Sequence, residues 1–186
     1  MQYWTCSPDW PGETVYIVGS GPSLLGADLE GLRGRRVIAV NNAIERVPFA
    51  DLMFFADTQW YRAYAYMLAS YKGTMVTVSP SVRVAGVKVM RQIKPPPGLA
   101  DEPNAVIMLR TSFQSAINIA VHRGAKRLVF IGLDGKAADT GRTHFHKPHP
   151  FKMRADVWQQ QRQCLEPVAA ELAARGIDVT LSLIHI

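Results

Sequence analysis

Cysteine is scarce in this chain, and long apolar runs are missing from it. The two cysteines, Cys6 and Cys164, lie far apart and outside any Cys-x-x-Cys pair, so a disulfide framework, a zinc finger and thiol chemistry have no support. No segment approaches the roughly 18 apolar residues of a membrane span. The amino terminus also lacks the basic and then apolar stretches of a signal peptide. We therefore expect a cytoplasmic protein.

Charge of one sign is in modest excess and is not concentrated. The 186 residues are 48% hydrophobic and 19% charged, which suits one ordinary domain with its own core. Lysine and arginine outnumber the acidic residues by 21 to 15, for a formal charge of +6. An anionic partner such as a nucleotide, a phosphosugar or nucleic acid fits this balance. Because the basic residues are scattered without interleaved aromatics, nucleic acid is disfavoured.

Short β-branched runs alternate with segments of helical period along the chain. We predict strands over residues 14–18, 36–40, 51–56, 74–78, 87–90, 128–133 and 177–180, and helices over residues 58–71, 112–123 and 155–175. Residues 80–103, which include Pro95-Pro96-Pro97-Gly98, form the least regular segment. The alternation predicts an α/β fold, a Rossmann-like three-layer α/β/α sandwich with a mostly parallel sheet.

One domain is predicted over residues 1–180. The last six residues, Leu-Ser-Leu-Ile-His-Ile, match the translation of a common transposon-type sequencing adapter. We therefore expect residues 181–186 to be an adapter-derived tail on a domain that is truncated at its carboxyl end. His185 is given no functional role.

Polar residues collect where the predicted strands end. They are Gly19, Ser20, Gly21 and Ser23 after the first strand, Asn41 and Asn42 after the second, Asp57 after the third, Asp134 after strand 128–133, and Thr111 and Ser112 at the start of a helix. Ligands of open parallel sheets bind beyond the carboxyl ends of the strands, where the strand order reverses. A shared binding rim is the prediction, although turns and helix caps would account for each residue taken singly.

The turn at residues 19–23 is a candidate phosphate site. Its glycines permit close backbone approach, and Pro22 is favourable in the first turn of a helix whose amino terminus would face an anion. It is not the dinucleotide fingerprint, because Leu24 stands where glycine or alanine is needed, and no Gly-Lys-Ser/Thr of a P-loop is present. An ordinary turn and cap is the alternative.

Three histidines, His144, His146 and His149, fall within six residues. An imidazole titrates near neutral pH and can take a proton from an attacking hydroxyl. Zinc binding is an alternative, but the spacing is not that of a metalloprotease helix and no cysteine lies nearby. A solvated loop with incidental histidines is the other alternative. We favour catalysis and assign no metal ligand.

A family resemblance is carried by five motifs in order along the chain: GSGPSL, NNA, FFADTQW, RTSFQSAINIAVHRGAKRLVFIGLDG and THFHKPH. Together they resemble the group that contains the 6-hydroxymethylpterin diphosphokinase MptE-like proteins and the family 42 bacterial sialyltransferases. The likeness is strongest to the small versions carried by tailed phages and prophages, and it covers residues 15–150. It implies a Rossmann-like fold that binds a nucleotide or nucleotide-sugar and transfers a phosphoryl or glycosyl group.

The resemblance also implies roles for individual residues. His149 is the nearest counterpart, after a one-residue insertion, of the base in the sialyltransferase Ser-His-Tyr-x-x-His loop, and His146 is second. Asp134 matches the aspartate of the Gly-x-Asp strand end and is grouped with these catalytic residues. The substrate-binding set is Gly19, Ser20, Gly21, Ser23, Asn41, Asn42, Asp57, Thr111, Ser112 and His144.

One departure from the family concerns the leaving phosphate. Those sialyltransferases have two tyrosines shortly after Gly-x-Asp, whereas this chain has Gly135-Lys136-Ala137-Ala138. CMP-sialic acid is therefore disfavoured as the donor. Lys136 or Arg142 is the candidate cation to offset the charge of the departing phosphate.

These observations predict a nucleotide- or nucleotide-sugar-dependent transferase in which a histidine deprotonates an acceptor hydroxyl. Two alternatives stay open. One is a Mg²⁺-assisted diphosphotransferase of the MptE-like kind, with Asp57 and Asp134 on the ion. The other is a noncatalytic phage accessory or assembly protein that keeps the fold as a scaffold. No cofactor is assigned with certainty, and Mg²⁺ enters only with the first alternative.

Overall fold

A computed structural model describes residues 2–56, 58–94, 96–150 and 156–182. Nine strands and three α-helices form within these ranges. The strands are β1 (Thr14–Val18), β2 (Arg36–Val40), β3 (Leu52–Phe55), β4 (Thr74–Thr77), β5 (Val87–Val89), β6 (Arg91–Ile93), β7 (Ala105–Ile107), β8 (Arg127–Ile131) and β9 (Asp178–Ser182). The helices are α1 (Thr58–Tyr64), α2 (Ser112–His122) and α3 (Val157–Ala174). None of them is long and apolar enough to cross a membrane.

Seven of the strands form one parallel sheet in the order β5-β4-β3-β2-β1-β8-β9. The chain moves outward from β1 to β5 and then returns to lay β8 on the other side of β1. Val18 is consequently paired with Ala39 of β2 on one side and with Ile131 of β8 on the other. The strand order reverses between β1 and β8, and this is the place where such sheets bind ligands. The predicted α/β Rossmann-like sandwich is confirmed.

Helices α2 and α3 cover one face of the sheet. The predicted apolar stripe of α2, with Phe113, Ala116, Ile117 and Ala120, is buried in a core that includes Val15 and Ile17 of β1 and Val168 and Leu172 of α3. Thr111 caps the amino terminus of α2, as predicted, since its Oγ1 accepts a hydrogen bond from Phe113 N at 3.1 Å. The helix is thereby fixed with its first turn at the end of the sheet where β1 and β8 finish.

The opposite face is covered mainly by 3-10 turns. They span Pro22–Leu24, Glu30–Leu32, Asn41–Glu45 and Ala65–Leu68. The prediction that a helix begins at Pro22 is wrong, because only a single 3-10 turn forms there. Two of the residues that follow, Gly26 and Gly34, have positive φ. Glycines at that spacing disfavour a helix. The predicted helix over residues 58–71 is likewise shorter, since α1 ends at Tyr64.

Strands β6 and β7 form a small second sheet that the sequence did not predict. They pair in parallel, with Arg91 opposite Ala105, inside the segment expected to be irregular. The buried Asn118 of α2 holds this region, because its Oδ1 accepts from Ala100 N and Ile107 N while its Nδ2 donates to the Ala100 carbonyl. These strands are stabilised by contacts from α2, which lies later in the chain. The local sequence of the strands therefore does not predict them.

Strand β9 lies at the edge of the main sheet and pairs Leu181 with Phe130 and Ser182 with Ile131. These are the first two residues of the segment assigned to an adapter-derived tail. Residues 183–186 lie outside the described ranges. The domain boundary at residue 180 stays a prediction.

Candidate active site

A cleft of about 220 Å³ lies at the switch point, beyond the carboxyl ends of β1 and β8. Its lining comprises residues 19–21, Val40, Asn41, Trp60, residues 110–113 and 132–135, Thr143, His144, His149, Trp158 and Gln161. Most of the predicted rim therefore meets in one place. Ser23, Asn42 and His146 are predicted site residues that lie outside this lining, and Asp57 lies outside the described residues.

The glycine turn after β1 is pressed against the segment that follows β8. A Cβ on Gly19 would come within 2.6 Å of the Gly132 carbonyl oxygen, and one on Gly21 within 2.6 Å of Asp134 Oδ2. The carboxylate of Asp134 accepts hydrogen bonds from Ser23 N at 2.7 Å and from Ser23 Oγ. Ser23, which was predicted to bind a phosphate, thus binds the carboxylate of Asp134 in this structure. No α-helix begins there to supply a dipole.

Asn41 and Asn42 follow β2 and have different surroundings. Asn42 is only 1% exposed, and its amide is engaged, since Oδ1 accepts from Trp60 Nε1 at 2.7 Å and Nδ2 donates to Glu45 Oε1 at 2.8 Å. Asn41 lines the cleft, and its backbone φ is +53°, in the left-handed region that asparagine tolerates better than most residues. The Oδ1 atom of Asn41 is buried without a hydrogen-bond partner among the described residues. An acceptor in that position suits a ligand that carries an N–H or O–H group.

The helix amino terminus that faces the cleft is that of α2. Arg110, Thr111, Ser112 and Phe113 all line the cleft, and Ser112 is the first of the 11 residues of α2. The positive end of the helix dipole and the exposed guanidinium of Arg110 both favour an anion here. Sequence reasoning did not single out Arg110. The available signal was a basic residue directly before a capped helix at the binding end of the sheet.

The three histidines form a cluster beside the cleft. The centroids of their rings lie 4.8–4.9 Å from one another. Rings of His144 and His149 line the cleft, whereas His146 lines a neighbouring cavity of about 350 Å³ that His144 shares. The hydroxyl of Tyr64 lies 2.8 Å from His149 Nδ1. The imidazoles and the glycine turn therefore border the same space.

Burial keeps at least two of these rings neutral. Loss of solvent, together with repulsion from His146 and His149, lowers the pKa of His144 to about 4. Burial also lowers the pKa of His146, against the opposing effect of its hydrogen bond to the Lys147 carbonyl. Neutral rings carry an unshared electron pair at pH 7, so they can accept a proton or bind a metal ion.

The two candidate cations for the leaving phosphate, Arg142 and Lys136, do not line the cleft. Arg142 Nη1 donates to the Phe145 carbonyl at 3.2 Å and lines the cavity next to His146, and Lys136 is exposed and not part of the cleft lining. Trp158 and Gln161 come from α3, one turn apart, and line the cleft. From the sequence, Trp158 was predicted only to face inward on a helix. Their position at the cleft depends on how α3 packs against the sheet, which the sequence pattern alone does not determine.

Comparison with known proteins bears on the fold. The chain is similar to the solved structure of the MAf glycosyltransferase from Magnetospirillum magneticum AMB-1, with a TM-score of 0.51 and 20% sequence identity over 71% of this chain. The chain spans 24% of that protein's length. No family model and no curated protein matches the chain. The fold is thus one that a glycosyltransferase also uses, while the likeness to MptE-like proteins, sialyltransferases and phage proteins stays a prediction.

Proposed function

We propose that this protein is a nucleotide-sugar-dependent transferase whose donor binds in the cleft between β1 and β8. The observation that carries the proposal is the meeting of an unpartnered acceptor, Asn41 Oδ1, with a cationic helix start and a pair of imidazoles in one cavity at the switch point. Each of these features has an ordinary structural explanation alone. Their convergence favours a ligand that carries phosphate charge, hydrogen-bond donors and a reacting centre.

The donor phosphates are assigned to the start of α2 in this proposal. Arg110 and the first turn of α2 supply positive charge at one side of the cleft. Asn41 would accept a hydrogen bond from a ribose hydroxyl or a base amino group, which would satisfy its buried Oδ1. The turn at residues 19–21 shapes the wall of the cleft. Asp134 and Ser23 stabilise that wall by binding each other.

The reaction assigned to the cleft is glycosyl transfer to a hydroxyl. His149 would accept the proton of the acceptor hydroxyl while that oxygen forms a bond to the anomeric carbon of the sugar. The bond from that carbon to the phosphate oxygen breaks, and the nucleoside phosphate leaves with the electron pair. Arg110 would offset the charge on the departing phosphate, and Tyr64 would orient the His149 ring through Nδ1.

The fold neighbour supports glycosyl transfer over the other chemistries of this architecture. That neighbour is a glycosyltransferase, and the present chain covers 24% of its length. Rossmann-like folds host many unrelated functions, so the residues of the cleft support this reaction more strongly than the fold does.

Titration of the chelator-treated protein with nucleotides and nucleotide-sugars tests the proposal. We expect saturable binding by calorimetry, and about tenfold weaker binding in Asn41→Gly, because one hydrogen bond of about 1.4 kcal/mol is lost while positive φ stays allowed. His149→Ala should lower turnover with the matched donor and retain donor affinity. Absence of binding to every nucleotide would overturn the proposal. Tight diphosphate binding only with Mg²⁺ would favour the diphosphotransferase alternative.

A further inference from the structure

The three histidines beside the cleft converge on one point. One ring nitrogen from each of His144, His146 and His149 lies within 4.8 Å of the others, and no other such group occurs among the described residues. Three imidazole nitrogens bound to one zinc ion at about 2.0–2.1 Å would stand about 3.4 Å apart. The rings are therefore within a small side-chain adjustment of that arrangement.

His146 has a buried nitrogen with nothing to bind. Its Nδ1 lies 2.6 Å from the Lys147 carbonyl oxygen, which can only accept, so Nδ1 carries the proton. Its Nε2 then holds an electron pair, and that atom is buried without a hydrogen-bond partner among the described residues. A buried acceptor left unpaired costs about 1–3 kcal/mol. A cation bound by Nε2 would remove this cost.

The surroundings of the rings are those of metal ligands. Metal-binding histidines commonly hold their other ring nitrogen against a carbonyl or another polar group, and this fixes the orientation of the ring. Here Nδ1 of His146 is held by the Lys147 carbonyl, Nδ1 of His149 by the Tyr64 hydroxyl, and Nδ1 of His144 by Thr143 Oγ1 at 3.0 Å.

We propose that His144, His146 and His149 bind one divalent transition-metal ion of the zinc class, with a remaining coordination position open toward the cleft. Neutral imidazole ligands suit zinc, cobalt and nickel, whereas magnesium prefers oxygen. A set of three protein ligands leaves a tetrahedral ion one open position. We assign this position to the cleft side because His144 and His149 both line the cleft that holds the candidate donor site.

The metal site does not rest on the proposed function, although the two meet at His149. A ring nitrogen that binds the ion cannot accept a proton at the same time. The base role proposed for His149 therefore belongs to the metal-free protein. For this reason the nucleotide titration uses chelator-treated protein, and its outcome is independent of metal binding.

Metal titration of tag-free, chelator-treated protein tests the inference. We expect one Zn²⁺ per chain by calorimetry, and a tetrahedral ligand-field absorption when Co²⁺ replaces it. His146→Ala removes a ligand that does not line the cleft, and it should weaken binding by more than the 10–100-fold that loss of an outer-shell partner costs. His122→Gln is the matched control, since His122 lies outside the cluster with its Nε2 at 2.8 Å from the Ala105 carbonyl oxygen. It should leave stoichiometry and affinity unchanged.

Three results would overturn the inference: no stoichiometric binding to the unmodified chain, unchanged affinity in His146→Ala, or an equal loss in His122→Gln. Circular dichroism checks that each variant is folded. Should His146→Ala fail to fold, His146→Gln replaces it and the same criterion applies. Calorimetric binding of a nucleotide to the same chelated sample reports on the donor site separately.

Discussion

At the scale of single residues, the adjacent side chains of Asn41 and Asn42 have different surroundings. Asn41 and Asn42 are the same residue type, and the sequence assigned both to the nucleotide. The structure buries the amide of Asn42 between Trp60 and Glu45, and it leaves Asn41 Oδ1 unpartnered in the cleft. Which of two adjacent side chains faces a ligand depends on how the chain leaves the strand. Here it depends on the positive φ at Asn41.

Replacement of Asn42 by alanine should destabilise the fold. The variant would lose the hydrogen bonds of the Asn42 amide with Trp60 Nε1 and Glu45 Oε1. At about 0.5–1.5 kcal/mol for each bond, the two together contribute about 1–3 kcal/mol. Urea unfolding should report this loss with an unchanged m-value. Asn41→Gly serves as the comparison and should change stability by less than about 1 kcal/mol, because relief of positive φ opposes the greater freedom of the unfolded chain. Equal losses in the two variants would contradict the assignment.

His122 at the end of α2 should make stability depend on pH. Burial lowers the pKa of His122 below its usual value, with Arg175 acting in the same direction and the Ala105 carbonyl, Asp101 and Glu102 opposing it. The unfolded chain therefore binds the proton more readily than the folded chain. Stability contributed by the neutral ring is present above pH of about 6.5 and is lost as pH falls below it.

His122→Gln should therefore reduce the loss of stability on acidification. Urea midpoints measured from about pH 7.5 down to about pH 5, a range that brackets the usual histidine pKa of about 6.5, should show a shallower decline in the variant. Other buried histidines contribute to the decline in both proteins, so the difference between the two profiles isolates His122. Parallel profiles would show that this ring does not titrate with unfolding.

At the scale of elements, the turn after β1 depends on the segment after β8. Gly21 has no room for a side chain, since a Cβ would meet Asp134 Oδ2 at 2.6 Å and the Gly132 carbonyl at 2.7 Å. The sequence predicted the turn and its glycines correctly. It predicted a helix after the turn, whereas the structure shows a 3-10 turn whose Ser23 binds Asp134 of a neighbouring loop. The phosphate role of the turn stays a prediction.

Gly21→Ala should disturb the cleft and lower stability together. The added methyl group would displace the Asp134 carboxylate and a backbone carbonyl, and overpacking of this kind costs about 1–3 kcal/mol. Thermal unfolding and nucleotide titration measure the two effects. Gly31→Ala is the matched control, because a Cβ there meets nothing within 4 Å. A Gly21→Ala protein as stable as the control would show that the carboxylate moves freely.

The strands of the main sheet were the most predictable elements, for a physical reason. Strands buried on both faces are short apolar runs rich in β-branched residues, and residues 14–18 and 36–40 were predicted with the observed bounds. Strands β6 and β7 could not be predicted, because Asn118 and the path of residues 96–104 create their pairing. The 3-10 turns that cover the face of the sheet opposite α2 and α3 likewise depend on tertiary packing, so the sequence did not predict them.

At the scale of the whole molecule, the binding rim follows from topology. Alternation of strands and helices predicts that polar residues after several strands meet at one edge, and residues 19–21, Asn41 and Asp134 do meet there. Arg110 and Gln161 could not be predicted as members, because their place depends on how α2 and α3 pack on the sheet. The histidines were predicted at the rim, and their convergence within 4.8 Å was not.

Charge around the cleft should govern the affinity for a phosphate-bearing ligand. The chain carries a formal charge of +6, and Arg110 places one guanidinium in the cleft lining beside the start of α2. A hydrogen bond to a charged group contributes about 1.5–3 kcal/mol, so Arg110→Gln should weaken nucleotide binding by about 10- to 100-fold. Lys126→Gln removes the same charge from an exposed residue directly before β8, at the end of the strand away from the cleft. The affinity of the Lys126→Gln variant for the nucleotide should fall only slightly, because the electrostatic field of the whole protein becomes slightly less positive.

Thermal unfolding with and without nucleotide measures this difference in one experiment. A ligand at 100 times its Kd stabilises the folded state by about 2.7 kcal/mol, which for a domain of this size raises Tm by roughly 5–11 °C. Arg110→Gln at the same ligand concentration should lose most of this rise, and Lys126→Gln should keep it. Added salt should reduce the shift in the unmodified chain, because exposed charges are screened. An equal loss in both charge variants would mean that net charge attracts the ligand and that the start of α2 does not bind it.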